Sequence, residues 1–121
     1  MSKDRKLLIK KLDLLSKNVV RQRDGNICQH CYKYVEGSFR HVSHVIPVSA
    51  GNKLRWEPLN MKVLCYHCHI NWWHKNPVEA GQWFKDIFPE RWEYISEHRG
   101  TYKFSIQELE ELVNNLKNQL N

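Results

Sequence analysis

The strongest constraint on this chain is a pair of cysteine knuckles, Cys28-Gln29-His30-Cys31 and Cys65-Tyr66-His67-Cys68. A two-residue gap lets both thiolates of a pair reach one ion, and two such pairs close a tetrahedral site of the kind that holds zinc. Four thiolates leave no open position, so an ion there is structural and its binding contributes directly to folding. His30 and His67 lie inside the knuckles, where each is able to replace a cysteine, but four thiolates make that unnecessary. A thioredoxin-like redox pair wants one C-x-x-C after a strand in a βαβ unit, and nothing here resembles that. The pairs lie further apart than in a minimal zinc ribbon, so something is inserted between them. The chain has 121 residues, enough for one modest core, and a metal staple suits that size.

The apolar pattern places elements around the knuckles. From Asp4 to about Arg23, Leu7, Leu8, Leu12, Leu15, Val19 and Val20 recur at helical steps, and lysines and arginines fill much of the rest. That basic face is either solvated or also touches phosphates. Asp24-Gly25-Asn26 ends the helix. Phe39 to Pro47 reads as a short strand entering a loop, and Asn60 to Leu64 as a second strand. A helix begins near Cys65 or Cys68 and runs towards His74, where Asn76-Pro77 breaks it. Val78 to Phe88 and Pro89 to His98 read as two more helices. Ser105 and Glu108 form a capping box for a last helix with Ile106, Leu109, Leu112, Val113, Leu116 and Leu120 on one face. That face either packs on its own domain or forms a dimer seam. The expected organisation is a single domain over 1–121: a basic helix at 1–24, the knuckles and the insert at 25–76, and C-terminal helices at 77–121.

The formal net charge is +6, which suits a polyanion, usually nucleic acid. At 41% hydrophobic and 12% aromatic, the chain is too apolar to read as disordered. No run is apolar enough to span a bilayer, and the basic start lacks the features of a secretory signal. The expected compartment is the cytoplasm, where thiols stay reduced.

The insert carries Ser43-His44-Val45-Ile46-Pro47; Asn60 follows His44 by sixteen positions, and His69 follows Asn60 by nine. His44, Asn60 and His69 in this order, flanked by C-x-x-C pairs, resemble the HNH nucleases with the ββα-metal fold. The segments S-H-V-I-P, L-N-M-K-V-L and C-Y-H-C-H carry the likeness. The flanks are similar to phage recombination nucleases of the NinG (Rap) type: Val20-Arg21-Gln22-Arg23-Asp24, Leu54-Arg55-Trp56, Asn76-Pro77-Val78-Glu79 and Glu90-Arg91-Trp92-Glu93. The resemblance implies an α+β fold, with a small ββα-metal core stapled by zinc and flanked by helices. It implies metal-dependent hydrolysis of DNA phosphodiesters, and the NinG-type likeness points to phage recombination and branched DNA. It makes His44 the general base, His69 a ligand of a catalytic Mg²⁺ or Mn²⁺, and Asn60 a residue that fixes the hairpin loop or helps hold the metal.

One departure bears on the metal. Many members of the family carry an acidic ligand just before the base, where this chain has Ser43. NinG-type sequences place an aspartate three residues before the base, which makes His41 a candidate ligand. His74, five residues after His69, is another, although a helical partner sits more comfortably four away and position 73 is Trp. A site built on His41 and His69 is nitrogen-rich and accepts Mn²⁺, Ni²⁺ or Zn²⁺ more readily than Mg²⁺. Lys53 and Arg55 between the strands, with Arg40, Lys62 and Lys75, are candidates for phosphate contacts. Trp56, Trp72 and Trp73 read as core before base-stacking. Two other readings stand beside the recombination nuclease: a nicking partner for phage DNA packaging, and a non-catalytic zinc module that binds DNA. A junction-resolving enzyme would want a homodimer.

Overall fold

In a computed structural model, residues 2–121 are described. The first helix, α1 (Lys3–Asp24), starts at Ser2, whose side chain accepts the Arg5 N–H, and ends at Gly25 with a left-handed φ of 65°. Leu12, Ser16, Val19 and Val20 form its buried stripe. Its last two residues clip the helix to the sheet. Asp24 accepts the backbone N–H of Val63, and Arg23 donates to the carbonyls of Pro58 and Met61. Arg23 is thus held by the fold, whereas Lys6, Lys10 and Lys11 stay exposed.

The sheet has two antiparallel strands, β1 (His41–His44) and β2 (Met61–Leu64), paired so that Ser43 faces Lys62 and His44 faces Met61. β2 is buried at every position because both its faces are covered. Met61 and Val63 cluster with Val20 of α1 and the cysteines, Lys62 lies against Trp73, and the two edges are bonded as well. β1 lies along one edge, while the first knuckle and Asp24 bond to Val63 from the other. The knuckle itself turns at Tyr32, an exposed residue with φ of 64°. Regular strand covers less than the sequence pattern suggests, because Phe39 closes a 3₁₀ turn and Asn60 ends another at Pro58–Asn60.

After β2 the chain enters a π-helix, His67–Trp73, and not the expected α-helix. The amide of His74 donates to the carbonyl of His69, an i to i+5 bond of 3.1 Å. Strand, strand and this helix form the ββα unit of an α+β fold, with four cysteines gathered beside it. Then come α2 (Pro77–Ile87) and α3 (Pro89–His98), each opened by a proline, the residue that suits a first helical turn. They pack Phe84 and Ile95 against Val45 and Leu54.

The last helix, α4 (Ile106–Gln119), opens with the capping box of Ser105 and Glu108. Its Leu109, Val113 and Leu116 pack on Leu12 and Val19 of α1 and on Trp56. Of the two readings of this apolar face, the structure takes packing within its own domain. Asp13 of α1 accepts from Arg55 Nε and Nη2 at 3.0 and 2.9 Å and from Trp56 Nε1 at 2.8 Å. The Arg55 pair is partly exposed and worth little by itself. The buried Trp56 indole is different, since losing its acceptor leaves a donor without water. Asp13→Ala is expected to destabilise the protein by about 1–3 kcal/mol, read as a lower urea midpoint with an unchanged m-value.

Candidate active site and metal centres

The four cysteine sulfurs lie within 4.8 Å of one another, with Cys28, Cys65 and Cys68 buried and Cys31 exposed. The backbone N–H of Cys68 points at Cys65 Sγ at 3.4 Å, as a knuckle requires. Burial and the neighbouring sulfurs push the Cys68 thiol well above its ordinary range. A cation is what would hold such a set deprotonated, and all-sulfur donors in one cluster fit zinc. His30 is not needed as a ligand. Its Nδ1 lies 3.2 Å from Cys68 Sγ, and its ring stacks on Trp72 at 3.6 Å between centroids.

His44, His69 and His74 all line a cavity of about 510 Å³, with Ser43, Trp73 and Trp92 among its walls. His44 ends β1. Its Nε2 lies 2.9 Å from the Arg55 carbonyl. A carbonyl only accepts, so Nε2 carries the proton and Nδ1 keeps its lone pair. Burial, reinforced by Lys17 and Lys62, holds the His44 pKa below its ordinary 6.5 despite the Arg55 carbonyl. The ring is therefore neutral near neutral pH, the form that accepts a proton.

His69 sits between two other histidines. Its Nδ1 is 2.9 Å from His41 Nδ1, and its Nε2 is 3.0 Å from His74 Nε2. Burial and the surrounding histidines lower its pKa to about 4, so it stays unprotonated. The pairing with His74 follows from the π-helix, whose wide turn brings residue i+5 over residue i. In an α-helix that place would go to Trp73. One ring nitrogen serves one ion, so His69 joins His41 through one edge or His74 through the other. The donors that meet here are imidazoles, a set that fits Mn²⁺, Ni²⁺ or Zn²⁺ better than oxygen-seeking Mg²⁺.

Asn60 is fully buried and does not line the cavity. Its Oδ1 accepts the Ile46 N–H at 2.8 Å, and its Nδ2 donates to the carbonyls of Ile46 and Leu54 at 3.1 Å. These bonds brace the loop between the strands, which leaves the carboxamide occupied by backbone. The loop's far side is tied to the α3–α4 link. Lys53 N–H bonds the Gly100 carbonyl, and a Cβ at Gly51 would come within 2.5 Å of that oxygen.

Two residues expected at phosphates are elsewhere. The Arg55 guanidinium is held by Asp13, and Lys62 is wholly buried. Arg40 bonds the Asn26 side chain, whereas Lys53 and Lys75 are exposed. Trp56 is buried, and Trp72 and Trp73 pack against the core. Asp13 was invisible to motif reasoning. Its signal is an acid next to Leu12 in the middle of a helix whose other acids, Asp4 and Asp24, stand at its ends.

This arrangement of two strands, a helix and a facing pair of histidines, stapled by cysteines, is that of a ββα-metal unit. Residues 28–71 match the model of a family described as HNH endonuclease. The comparison with curated proteins returned no match, and neither did that with solved structures. No helix among the described residues is long and apolar enough to cross a membrane.

Because a lowered pKa favours neutral imidazole, protonation of His44 is expected at lower pH than for a free imidazole. An NMR titration of the ring should give a midpoint below 6.5, with the Nε2-protonated tautomer above it.

Proposed function

We propose that this protein is a divalent-metal-dependent DNA endonuclease with His44 as general base. The observation that carries the reading is the contact of His44 Nε2 with the Arg55 carbonyl, on a residue that lines the same cavity as the His69–His74 pair. The HNH family match over residues 28–71 supports the same chemistry.

The residues divide the work. His44 Nδ1 takes a proton from a water aligned opposite the leaving 3′ oxygen. The Arg55 carbonyl holds the ring in that tautomer. Asn60 fixes the adjacent Leu54 carbonyl, and Asp13 holds the Arg55 side chain, so the acceptor of His44 sits on a braced loop. His69 and His74 would hold the catalytic ion, because both line the cavity that His44 lines and His41 does not, with His41 as the alternative partner on the other ring nitrogen of His69. That ion supplies charge neutralisation at the scissile phosphate and leaving oxygen. Cys28, Cys31, Cys65 and Cys68 hold a structural zinc. Lys53, Lys75 and the exposed lysines of α1 attract the backbone without reading sequence.

The finer substrate is branched DNA of phage recombination, supported by the NinG-type flanking segments. Packaging-associated nicking is the alternative, and relative rates on a Holliday junction and a linear duplex separate them. The non-catalytic zinc module is favoured only by Ser43 standing where an acid is usual.

Supercoiled plasmid is expected to be nicked by the wild type with Mn²⁺, and His44→Ala, still folded and zinc-loaded, is expected to lose at least about a hundredfold in rate. The acid limb of the rate profile should fall below pH 6.5, because His44 works in its neutral form. Binding without cleavage of any DNA offered would leave the module reading in its place. A second comparison bears on the ion: His74→Ala should raise the Mn²⁺ concentration needed for half-maximal nicking more than His41→Ala does. The reverse order would put the ion on the His41 edge.

A further inference from the structure

Lys62 is the one lysine of the strands, and it has no exposed surface at all. Burying an amine costs several kcal/mol unless it is well partnered. Among the described residues the ion pairs are Arg23–Asp24 and Arg55–Asp13, so Lys62 has no carboxylate in contact. Its Nζ instead donates to Ser43 Oγ at 2.9 Å, lies 3.5 Å from the carbonyls of Ser43 and His44, and sits 3.3 Å from the centre of the Trp73 ring. Burial holds its pKa well below the ordinary value, with Asp24 opposing. In either protonation state Nζ keeps a proton to give Ser43.

The partners define the role. Ser43 immediately precedes the proposed base His44, and Trp73 immediately precedes the proposed ligand His74. β1 brings one half of the site and the π-helix the other, and Lys62 on β2 touches both halves from behind. We propose that Lys62 is a positioning residue that locks the strand bearing His44 to the helix bearing His69 and His74. This rests on the nuclease reading above. A methionine at this place would fill the same space without burying an amine, so what the lysine adds is its contacts to Ser43 and Trp73. Lys62 has no surface with which to meet DNA, so it acts on the chemical step and not on substrate binding.

The experiment compares wild type with Lys62→Met, which keeps the stem and removes every donor, and Lys62→Gln, which keeps a donor without charge. Both variants are expected to retain zinc and to melt at or above the wild-type Tm. Lys62→Met should lower kcat for plasmid nicking by about tenfold or more, with KM for DNA held within about twofold. Lys62→Gln should recover some of the lost kcat. The imidazole ¹⁵N–¹H signals of His44 and His69 should shift in Lys62→Met. A fall in Tm that tracks the loss of activity in both variants would make Lys62 a packing residue and overturn the proposal. So would a Lys62→Met protein that nicks within about twofold of wild type with unmoved imidazole signals. If Lys62→Met does not fold, Lys62→Gln carries the same comparison, and its failure to fold also overturns the proposal. If wild type itself does not nick, the nuclease reading fails. The imidazole spectra then decide the positioning claim alone, shifted signals supporting it and unmoved ones refuting it.

Discussion

Everything at the candidate site hangs on the gathering of four thiols. Cys65 and Cys68 open the turn that carries His69, and Cys28 and Cys31 lie on a knuckle bonded to the far edge of β2. An ion that joins these two segments fixes the start of the π-helix relative to the sheet. In a chain of 121 residues, a core alone would leave such a short helix and a two-stranded ribbon poorly defined. The structural centre and the candidate catalytic centre are thus successive residues of one turn, Cys68 and then His69.

A second layer of constraint runs through neutral backbone groups. The Arg55 carbonyl, and no carboxylate, is what orients His44. A carbonyl sets the tautomer without adding negative charge, so burial still wins and the ring stays a weak, unprotonated base. Asn60, Asp13 and the Gly51–Gly100 contact each pin a different stretch of the loop that delivers this carbonyl. The site therefore depends on residues far apart in sequence that never meet a substrate.

Much of this was legible in the sequence. The knuckles, the capping box and the order His44, Asn60, His69 are local or motif-bound, and the structure brings the cysteines together and places His44 and His69 on one cavity. What was hidden depends on tertiary context. Helical periodicity assigns the place over His69 to Trp73, and only a change of helix type gives it to His74. A lysine in a strand reads as surface until both faces of that strand are seen to be covered, as Trp73 covers the face of Lys62. Arg55 looks like a phosphate contact because nothing nearby in sequence claims it, whereas Asp13 reaches it from α1.

The wide turn at His67–Trp73 has a reach beyond the histidines. Each residue of an α-helix rotates the chain by about 100°. A segment that holds one residue more per turn delivers its far end at a different angle from a regular helix of equal length. The cysteine cluster anchors one end of this segment and Asn76-Pro77 the other. The surplus residue therefore sets the azimuth at which α2 leaves, and with it the seating of Trp83 and Phe84 in the cluster that holds Val45 and Ile95. Removing a single residue there would turn α2 and the aromatic side chains it carries, not merely pull a pair of imidazoles away from each other.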